Sequence, residues 1–366
     1  MTVLIDAGIR AIAEEGIDQI SVQSVSDAAK TSRPTFYSYF GDINGFLAEI
    51  WLAKSQEWLD DLSNPSMQIT SLKGTKKLVN RALSEILAAS HRIPEVLELV
   101  EPSMKSWWLE KLTHPPMHRL KCIWLVAERL GATITDPVDP EVHTAQFVES
   151  VLAAIPDDQD TTIKEVPASL LPAVSEPTVV SEELEARLLQ SAVEVIAAGG
   201  VKSASMARVA RKTQVSTGAV YPRYSKVDDL IEGSFEAAIS MVIQQNFSLL
   251  QGQAFSADDF GLFVMAGLTD NRKIWRNFRI EIHLGARTRP ALASRMKKNL
   301  RETNQAVASR LSIYPVPELV AGPIPYLVHS VGIGLAMLQN ASIPVRELDH
   351  RPIARAMVQG LVGDAK

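Results

Sequence analysis

Apolar residues recur every three or four positions along most of this chain, which is the period of an amphipathic helix. The pattern is clear at Ile5, Ile9 and Ile12, and it returns in LLQSAVEVIAAGG, which starts at Leu188 and ends on a glycine pair typical of a helix terminus. No segment alternates apolar and polar residues between hairpin turns, so we expect an all-α fold. The same period predicts further helices over Ile43–Leu59, Thr75–Ser90, Pro116–Leu130, Val142–Ile155, Val227–Leu250, Pro290–Leu311 and Tyr326–Leu338.

The chain also repeats itself. When Gly16 is aligned with Gly200, a shift of 184 residues, helical positions, cap positions and an aromatic position coincide. The halves downstream, from Met117 and from Met296, share a helical pattern and an Arg-Leu pair. Because 366 residues exceed one ordinary domain of roughly 100–200 residues, we expect two copies of one unit. The identical pairs include Leu4/Leu188, Ile12/Ile196, Ala13/Ala197, Ser21/Ser205, Val25/Val209, Ser32/Ser216 and Tyr37/Tyr221.

A proline-rich segment separates the two units. Four prolines between positions 156 and 177 prevent a helix and favour an extended path of up to roughly 80 Å. Ser181 is expected to cap the helix that follows, with acidic residues at 182 and 183 in its first turn. The expected domains are a first head over 1–62, a first body over 63–156, a linker over 157–181, a second head over 182–250 and a second body over 251–366.

Two short helices and a tight turn follow the first helix of each unit. In SVQSVSDAAKTSRPTFYSYF, Ser21 and Ser32 are placed to cap the two helices. Val25, Phe36 and Phe40 have the spacing of a buried face. The segment SMARVARKTQVSTGAVYPRY of the second unit has the same pattern. Such a pair of helices is a helix-turn-helix, whose second helix can enter the major groove of DNA.

Both segments resemble the DNA-binding head of the tetracycline-repressor (TetR) family of bacterial transcription regulators. The family pattern ends in Gly-Val-Ser-x-Gly-Thr-hydrophobic-Tyr-x-Tyr-Phe. The resemblance covers the heads, whereas the bodies match only in helical character. It implies two tandem all-α units, each with a helix-turn-helix head and a helical ligand-binding and dimerisation body, arranged as a pseudo-dimer. The first copy matches at Val25, Ser32, Thr35, Phe36, Tyr37, Tyr39 and Phe40, and the second at Val209, Ala210, Val215, Ser216, Gly218, Tyr221 and Tyr224.

Both copies also depart from the family pattern. The turn glycine is replaced by Lys30 in the first copy and by Gln214 in the second, so a non-glycine residue must adopt the turn backbone. The basic residue at the start of the fourth helix is replaced by Ile43 and by Val227. Pro222 lies inside the second recognition helix, where it removes an amide donor. We expect this helix to be shortened or distorted.

The two heads differ in charge. Between positions 20 and 45, two basic and two acidic residues give a net charge of zero, whereas between 204 and 229 five basic and two acidic residues give plus three. Contacts to backbone phosphates supply much of the affinity for DNA, so we expect the second head to bind DNA more strongly. The basic residues of the second head are Arg208, Arg211, Lys212, Arg223 and Lys226.

The resemblance implies double-stranded DNA as the partner and assigns its contacts. Arg33 would read guanine at O6 and N7, the alternative being a solvated arginine at a helix start. Tyr221 would contact phosphate, the alternative being a core position. Two unlike heads on one chain predict an asymmetric operator. The candidate DNA-binding residues are Ser32, Arg33, Pro34, Thr35, Tyr37 and Tyr39 in the first head, and Arg208, Ser216, Thr217, Gly218, Tyr221, Arg223 and Lys226 in the second.

The bodies are expected to bind a small-molecule inducer and to pair with each other. By the resemblance, Pro116–Leu130 and Val142–Ile155 would form one side of this interface, and Pro290–Leu311 and Tyr326–Leu338 the other. Glycines in the uncharged stretch from 319 to 345 would allow close approach without a membrane. No charged cage is evident, so an apolar or amphipathic inducer is expected, preferably in the second body. The candidate pocket residues, which also fit a plain core, are Met104, Trp107, Trp108, Trp124, Phe263, Trp275, Phe278 and His283.

Composition and charge exclude several classes of protein. With 46% hydrophobic and 22% charged residues, the chain is neither largely disordered nor a multi-span membrane protein. A net charge of −5 excludes a surface that is basic throughout but allows a basic patch. Cys122 is the one cysteine, so no internal disulfide forms and a cytoplasmic location is expected.

The sequence gives little support for an enzymatic function. His114 and His118 have metal-like spacing, but the two prolines that follow His114 are expected to break the helix that would align them. No constellation of catalytic side chains accompanies them. We expect no catalysis, no metal and no cofactor other than the inducer.

Two functions fit the sequence. The first is a ligand-responsive DNA-binding regulator, expected to be a repressor, in which one chain imitates the family dimer; a homodimer of such chains stays open. The second is a sensor or a partner of another regulator, whose heads no longer bind DNA. The neutral first head and Pro222 favour the second function.

Overall fold

The structure, a computed structural model, describes residues 1–136, 138, 145–157, 183–249, 257–311 and 323–363. Within these ranges the chain forms 17 α-helices and no β-strand, so the expected all-α fold is confirmed. The first unit contains α1 (Thr2–Glu15), α2 (Val22–Ala28), α3 (Arg33–Phe40), α4 (Ile43–Ser63), α5 (Gly74–Ala89), α6 (Pro94–Lys111), α7 (Pro116–Thr135) and α8 (Ala145–Ala154). The second contains α9 (Leu184–Gly199), α10 (Met206–Thr213), α11 (Thr217–Val220), α12 (Val227–Leu249), α13 (Ala257–Gly267), α14 (Lys273–Ala286), α15 (Pro290–Leu311), α16 (Pro323–Asn340) and α17 (Arg351–Gly363).

Most helices lie where the hydrophobic period places them, and α15 has the predicted bounds. The period does not predict α6, α13 or α17, and α6 contains an internal proline, Pro102. The predicted cap at Ser181 is wrong, because α9 begins at Leu184 with Glu183 in the N-cap position and no side-chain cap bond. An acidic residue in the first turn, Glu185, favours this helix end instead. Ser181 and the rest of the expected linker after residue 157 lie outside the described residues.

The buried apolar side chains form two clusters. The larger cluster covers the first unit and also contains residues of the second unit, such as Leu335 on α16 and Ile353 on α17. The smaller cluster joins the second head to α14 and α15 and contains the fully buried Phe278. The bodies of the two units therefore share one core, which is the interior of the expected pseudo-dimer.

The two units come into close contact where α7 crosses α16. A Cβ atom on Gly334 would lie 1.8 Å from the carbonyl oxygen of Ala127, and one on Gly131 would lie 1.9 Å from that of Ser330. The two contacts are reciprocal. Gly131 lies one helical turn after Ala127 on α7, and Gly334 lies one helical turn after Ser330 on α16. An approximate two-fold axis therefore passes through this crossing, and the expected role of small residues in the uncharged stretch is met by Gly334.

The other expected helix contacts need correction. Helix α8 packs against α7 and α17, and α15 packs against α12, α14 and α16 of its own unit. The reason lies in the repeat: α15 starts at Pro290 directly after α14, as α6 starts at Pro94 directly after α5. The counterpart of α15 is therefore α6, and α7 has α16 as its counterpart.

Two findings concern membranes and metals. No helix among the described residues is long and apolar enough to cross a membrane. The expected helix break is confirmed, because His114 lies between α6 and α7, although the rings of His114 and His118 still stack with their centroids 4.5 Å apart. The turn that precedes Pro116 brings His114 over the first turn of α7. The described residues contain no group of three or more His, Cys, Asp or Glu side chains that could hold a metal ion.

Candidate nucleic-acid interface

The first head holds its recognition helix α3 behind a tight, capped turn. Ser21 and Ser24 form a capping box on α2, in which each hydroxyl accepts the other residue's backbone N–H, at 3.1 and 3.0 Å. At the start of α3, Ser32 Oγ accepts from the backbone N–H of Thr35 at 3.2 Å. Between the helices Lys30 has a φ of 52°. The prediction that a non-glycine residue adopts this turn backbone is confirmed.

Helix α3 is anchored by an aromatic cluster. The ring of Phe36 lies 5.0 Å from that of Phe46 on α4, and the ring of Phe40 lies 4.8 Å from it, measured between centroids. Phe46 also fills the space beside Gly8 of α1, where a Cβ atom would lie 2.3 Å from the ring. Because both buried rings lie on one side of α3, its other side faces solvent.

The solvent face of α3 carries the side chains assigned to DNA. Tyr37 and Tyr39 are 51% and 54% exposed, so both rings are accessible to a partner. Five of the six candidates are exposed, and their contacts to DNA stay predictions. Ser32, Arg33 and Pro34 are exposed, and Thr35 is half-buried.

The second head has the same turn and a shorter recognition helix. Ser205 Oγ accepts from the backbone N–H of Arg208 at 3.2 Å, and Gln214 takes the turn with a φ of 62°. Helix α11 ends at Val220 after about one turn. Pro222 lacks the N–H that would continue the helical bonding, so the predicted shortening is confirmed.

Basic side chains surround α11. Lys212 Nζ lies 2.7 Å from Glu194 Oε2, so its positive charge is already paired with a carboxylate. Tyr221 is 56% exposed, which excludes the core position considered for it. The phosphate role of Tyr221 and the roles of its neighbours stay predictions. Arg208, Ser216, Gly218, Arg223 and Lys226 are exposed, and Thr217 is half-buried.

The C-terminal end of α1 is held by the other unit. Arg287, just after α14, donates to the carbonyl oxygens of Ala13 at 2.6 Å and Ile12 at 3.1 Å, and it pairs with Glu85 of α5. Glu85 is buried, and its Oε2 accepts from the backbone N–H of Ile17 at 2.8 Å. Burial raises the pKa of Glu85, and the charge of Arg287 opposes this rise. One arginine of the second unit thus connects the first head to α5.

The second head is held from the first unit in the same way. His91 Nε2 lies 3.2 Å from the carbonyl oxygen of Ala197, which corresponds to Ala13 in the repeat. Arg92 Nε donates to Glu281 Oε1 of α14 at 2.7 Å. Burial raises the pKa of Glu281 to about 8. The two heads are therefore fixed by reciprocal contacts across the pseudo-two-fold axis. We refer to Glu85, His91, Arg92, Glu281 and Arg287 as the cross-unit latch.

Sequence reasoning missed the latch and left two basic residues of the second head, Arg211 and Lys212, without a role. Arg211 is exposed on α10 and lies beside the assigned residues. The latch would emerge from aligning the body helices at a shift of 196 residues, which places Glu85 over Glu281 and Pro94 over Pro290. The shift of 184 residues that aligns the heads does not align the latch residues, because the segments between head and body differ in length.

The candidate inducer residues lie in different surroundings. Trp275 lines a cavity of about 90 Å³ in the second body. Phe278 and His283 are fully buried on the same helix, and Phe263 lies on α13 with its side chain outside the described set. Their binding roles stay predictions. The first-body candidates Met104, Trp107, Trp108 and Trp124 are buried in the larger core and do not line this cavity.

A larger cavity lies in the first body. Its volume is about 370 Å³, and its lining includes Asn80, Arg81, Thr133 and Asp136. Arg81 already pairs with Asp136 at 3.0 Å. The charge of Arg81 is therefore matched within the protein, and Lys77 is a second cation of this lining.

Comparison with known proteins agrees with the geometry of the heads. The sequence model described as bacterial regulatory proteins, tetR family, matches residues 4–50 and again residues 188–233. The two matches contain the helix-turn-helix of each unit together with the helices that flank it. A comparison with curated proteins found no significant match. The chain belongs to the tetR family of bacterial regulatory proteins, as a DNA-binding transcriptional regulator with two TetR-like units in one polypeptide.

Proposed function

We propose that the chain is a ligand-responsive repressor that reads an asymmetric operator with its two unlike heads. An apolar or amphipathic small molecule bound in a body releases it from DNA. The observation that carries this proposal is the pair of heads with different outward side chains, joined through reciprocal contacts of the cross-unit latch. One chain then takes the place of a two-headed dimer.

The two half-sites differ because the two recognition surfaces differ. In the first head, Arg33 reads a guanine and Tyr37 contacts phosphate. In the second, Gly218 lets the backbone approach the groove, while Arg208 and Lys226 contact phosphates. The half-sites are centred about 34–36 Å apart, one turn of DNA, as for paired helix-turn-helix heads.

Selection of binding sites from random DNA tests this reading. The full-length chain is expected to recover a site with two different halves. Recovery of a clean palindrome by a monomeric chain would refute the asymmetric reading. Light scattering shows whether the binding species has the 40.1 kDa of one chain or the mass of a homodimer of chains.

Substitutions in the second head test the assigned contacts. Arg208→Ala and Arg223→Ala each remove a phosphate contact, so each should weaken binding and reduce the slope of log affinity against log salt by about one. Lys212→Ala is the matched control, because Lys212 is already paired with Glu194. Equal losses in the control and the two variants would contradict the assignment.

Arg33→Ala tests base reading in the first head. The variant should lose its guanine preference in one half-site only, with about 1–3 kcal/mol less discrimination at that position. An unchanged recovered site would show that Arg33 is a solvated arginine.

One observation favours a second candidate function, a ligand sensor or regulator partner that does not bind DNA. Helix α11 has about one turn, and the first head carries no net charge. A gel shift with the DNA upstream of the chain's own gene, repeated at increasing salt, separates the two functions. No binding, or binding that salt does not weaken, would support the sensor.

As a regulator of bacterial genes, the protein acts in the cytoplasm, where the DNA lies. We assign it no catalytic step, because its proposed action consists of binding DNA and an inducer.

A further inference from the structure

The second body encloses a cavity of about 90 Å³ between α12, α13, α14 and α16. Its wall is mainly apolar. The charged side chains on this wall are two arginines, Arg272 and Arg279, and the described lining contains no carboxylate. A cavity with apolar walls and positive charge differs from the plain apolar pocket expected from the sequence. The apolar lining includes Val242, Val264, Leu268, Trp275, Val328 and Leu335.

Arg279 presents its guanidinium to this cavity. The group lies over the ring of Trp275, with Cζ 5.8 Å from the centroid, and beside Gly332, whose added Cβ atom would lie 3.4 Å from Nη1. In the described part of the chain, the bonded partners of Arg279 come from His329, and none is a carboxylate. Burial and the neighbouring charge of Arg272 lower the pKa of Arg279 to about 10, so it remains charged at neutral pH.

Two histidines hold this guanidinium in place. Arg279 Nη2 donates to the carbonyl oxygen of His329 at 2.9 Å and to its Nδ1 at 3.2 Å. With Nδ1 as an acceptor, His329 donates through Nε2 to His283 Nε2 at 3.1 Å, and His283 Nδ1 donates to the carbonyl oxygen of Arg279 at 2.7 Å. This circuit satisfies every ring nitrogen with both rings neutral. Burial lowers the pKa of His283 to about 4 and lowers that of His329, so neither ring competes as a cation.

A half-buried cation without an acidic partner loses part of its hydration, and a planar guanidinium matches a carboxylate with two parallel hydrogen bonds. The cavity can hold about six to nine water-sized groups, at about 10–15 Å³ each, within its 90 Å³. An organic anion that fits both the charge and the volume has one carboxylate and a short apolar body. Butyrate to heptanoate have this number of non-hydrogen atoms.

We propose that this cavity binds a small monocarboxylate, with its carboxylate on Arg279 and its apolar chain against Trp275, Val328 and Leu335. The proposal names the chemical class of the inducer and rests on the proposed ligand response only for its effect on DNA. Trp275 is a candidate residue named from the sequence, whereas Arg279 and His329 were not expected.

Calorimetric titration of the full-length chain, without DNA, tests the site. The probes are sodium acetate, butyrate, hexanoate and decanoate, together with hexanamide, which has the shape of hexanoate without its charge. Hexanoate is expected to bind at least about tenfold more tightly than acetate, decanoate and hexanamide. Equal binding of hexanamide and hexanoate would overturn the proposal, as would tighter binding of inorganic phosphate than of hexanoate.

Variants locate the binding. Arg279→Gln should weaken hexanoate binding at least about tenfold, and Arg279→Lys, which keeps the charge but loses the two-pronged geometry, should bind hexanoate with intermediate affinity. The matched control is Arg81→Gln in the first body, whose arginine already pairs with Asp136. Unchanged binding by Arg279→Gln, or a loss with the control, would overturn the proposal. The ligand series on the unaltered chain decides the question if Arg279→Gln does not fold.

Failure of this inference and failure of the proposed function give different results. If hexanoate binds as expected but does not change operator affinity, the site stands and the ligand response through it is refuted. If a neutral apolar compound releases the operator while no carboxylate binds, the proposed function stands and this inference is refuted. A chain that binds no DNA still gives a titration result that decides the inference.

Discussion

Replacing Arg287 by methionine removes the cation of one half of the cross-unit latch. Arg287 and Glu85 are 11% and 1% exposed at their side chains, so solvent does not screen the pair. The variant leaves Glu85 as a buried carboxylate whose remaining bond is the one from Ile17 N–H at 2.8 Å. The carbonyl oxygens of Ile12 and Ala13 also lose a charged donor.

Breaking a buried ion pair from one side costs about 3–5 kcal/mol, because the partner is left charged and unpaired. At about 1.4 kcal/mol per factor of ten, the unfolding equilibrium constant should rise by roughly a hundredfold to a few thousandfold. Urea unfolding of Arg287→Met, followed by circular dichroism, measures this loss. The matched control is Lys298→Met, which removes a cation from an exposed pair with Glu302 and should change stability little.

The cause of the loss can be tested separately from its size. Glu85→Gln keeps an oxygen for the bond from Ile17 and removes the charge, so the double variant Glu85→Gln/Arg287→Met should regain at least about 1 kcal/mol. The deficit of Arg287→Met should also shrink as pH falls towards 5, because a buried carboxylate with a raised pKa regains stability when it is protonated. A loss below about 1 kcal/mol, or additive effects in the double variant, would refute the reasoning.

Three further outcomes are expected. Gly334→Ala places a Cβ atom 1.8 Å from the Ala127 carbonyl oxygen, so it should lower the free energy of unfolding by about 1–3 kcal/mol or more. The control Gly267→Ala, whose Cβ atom meets nothing within 4 Å, should leave the free energy of unfolding nearly unchanged. Similar melting curves for the two variants would contradict this packing. His350 is buried, its pKa is lowered to about 4, and it takes up a proton more readily when the chain unfolds. The free energy of unfolding should therefore fall by about 3 kcal/mol as pH falls from 6.5 to 4. A His350→Gln variant with the same pH dependence would argue against this cause. Pro222→Ala should lengthen α11 and change the recovered DNA site in the half read by the second head only; an unchanged site would exclude α11 from base reading.

Local features of the heads follow from the sequence because they depend on near neighbours. Each of these features involves bonds within a few residues. They are the caps at Ser32 and Ser205, the left-handed turns at Lys30 and Gln214, and the shortened helix before Pro222. The helix predicted after the linker is present as α9, and only its predicted cap at Ser181 is wrong, because Glu183 takes the N-cap position. The repeat predicts the two TetR-like units, and the helical period predicts most helix positions.

Features of the bodies depend on contacts between distant parts of the chain. Arg287 meets Ala13 across 274 residues, and Arg92 meets Glu281 across 189. The cation of the second cavity is equally hidden, because Arg279 looks like an ordinary surface arginine until α16 brings His329 beside it. No local pattern distinguishes such an arginine from a solvated one.

The shared core of the two bodies also has a consequence for how the protein behaves in a cell. Heads joined through one interior in one chain meet at an effective concentration that does not fall when the protein is scarce. For a regulator that must first pair with a second subunit, the occupancy of DNA falls with the square of the protein concentration when the protein is dilute. For this chain, the occupancy falls in direct proportion to the concentration. Under the proposed function, a few copies per cell would therefore occupy both half-sites, and a defective copy would not inactivate an intact one by pairing with it inside this core.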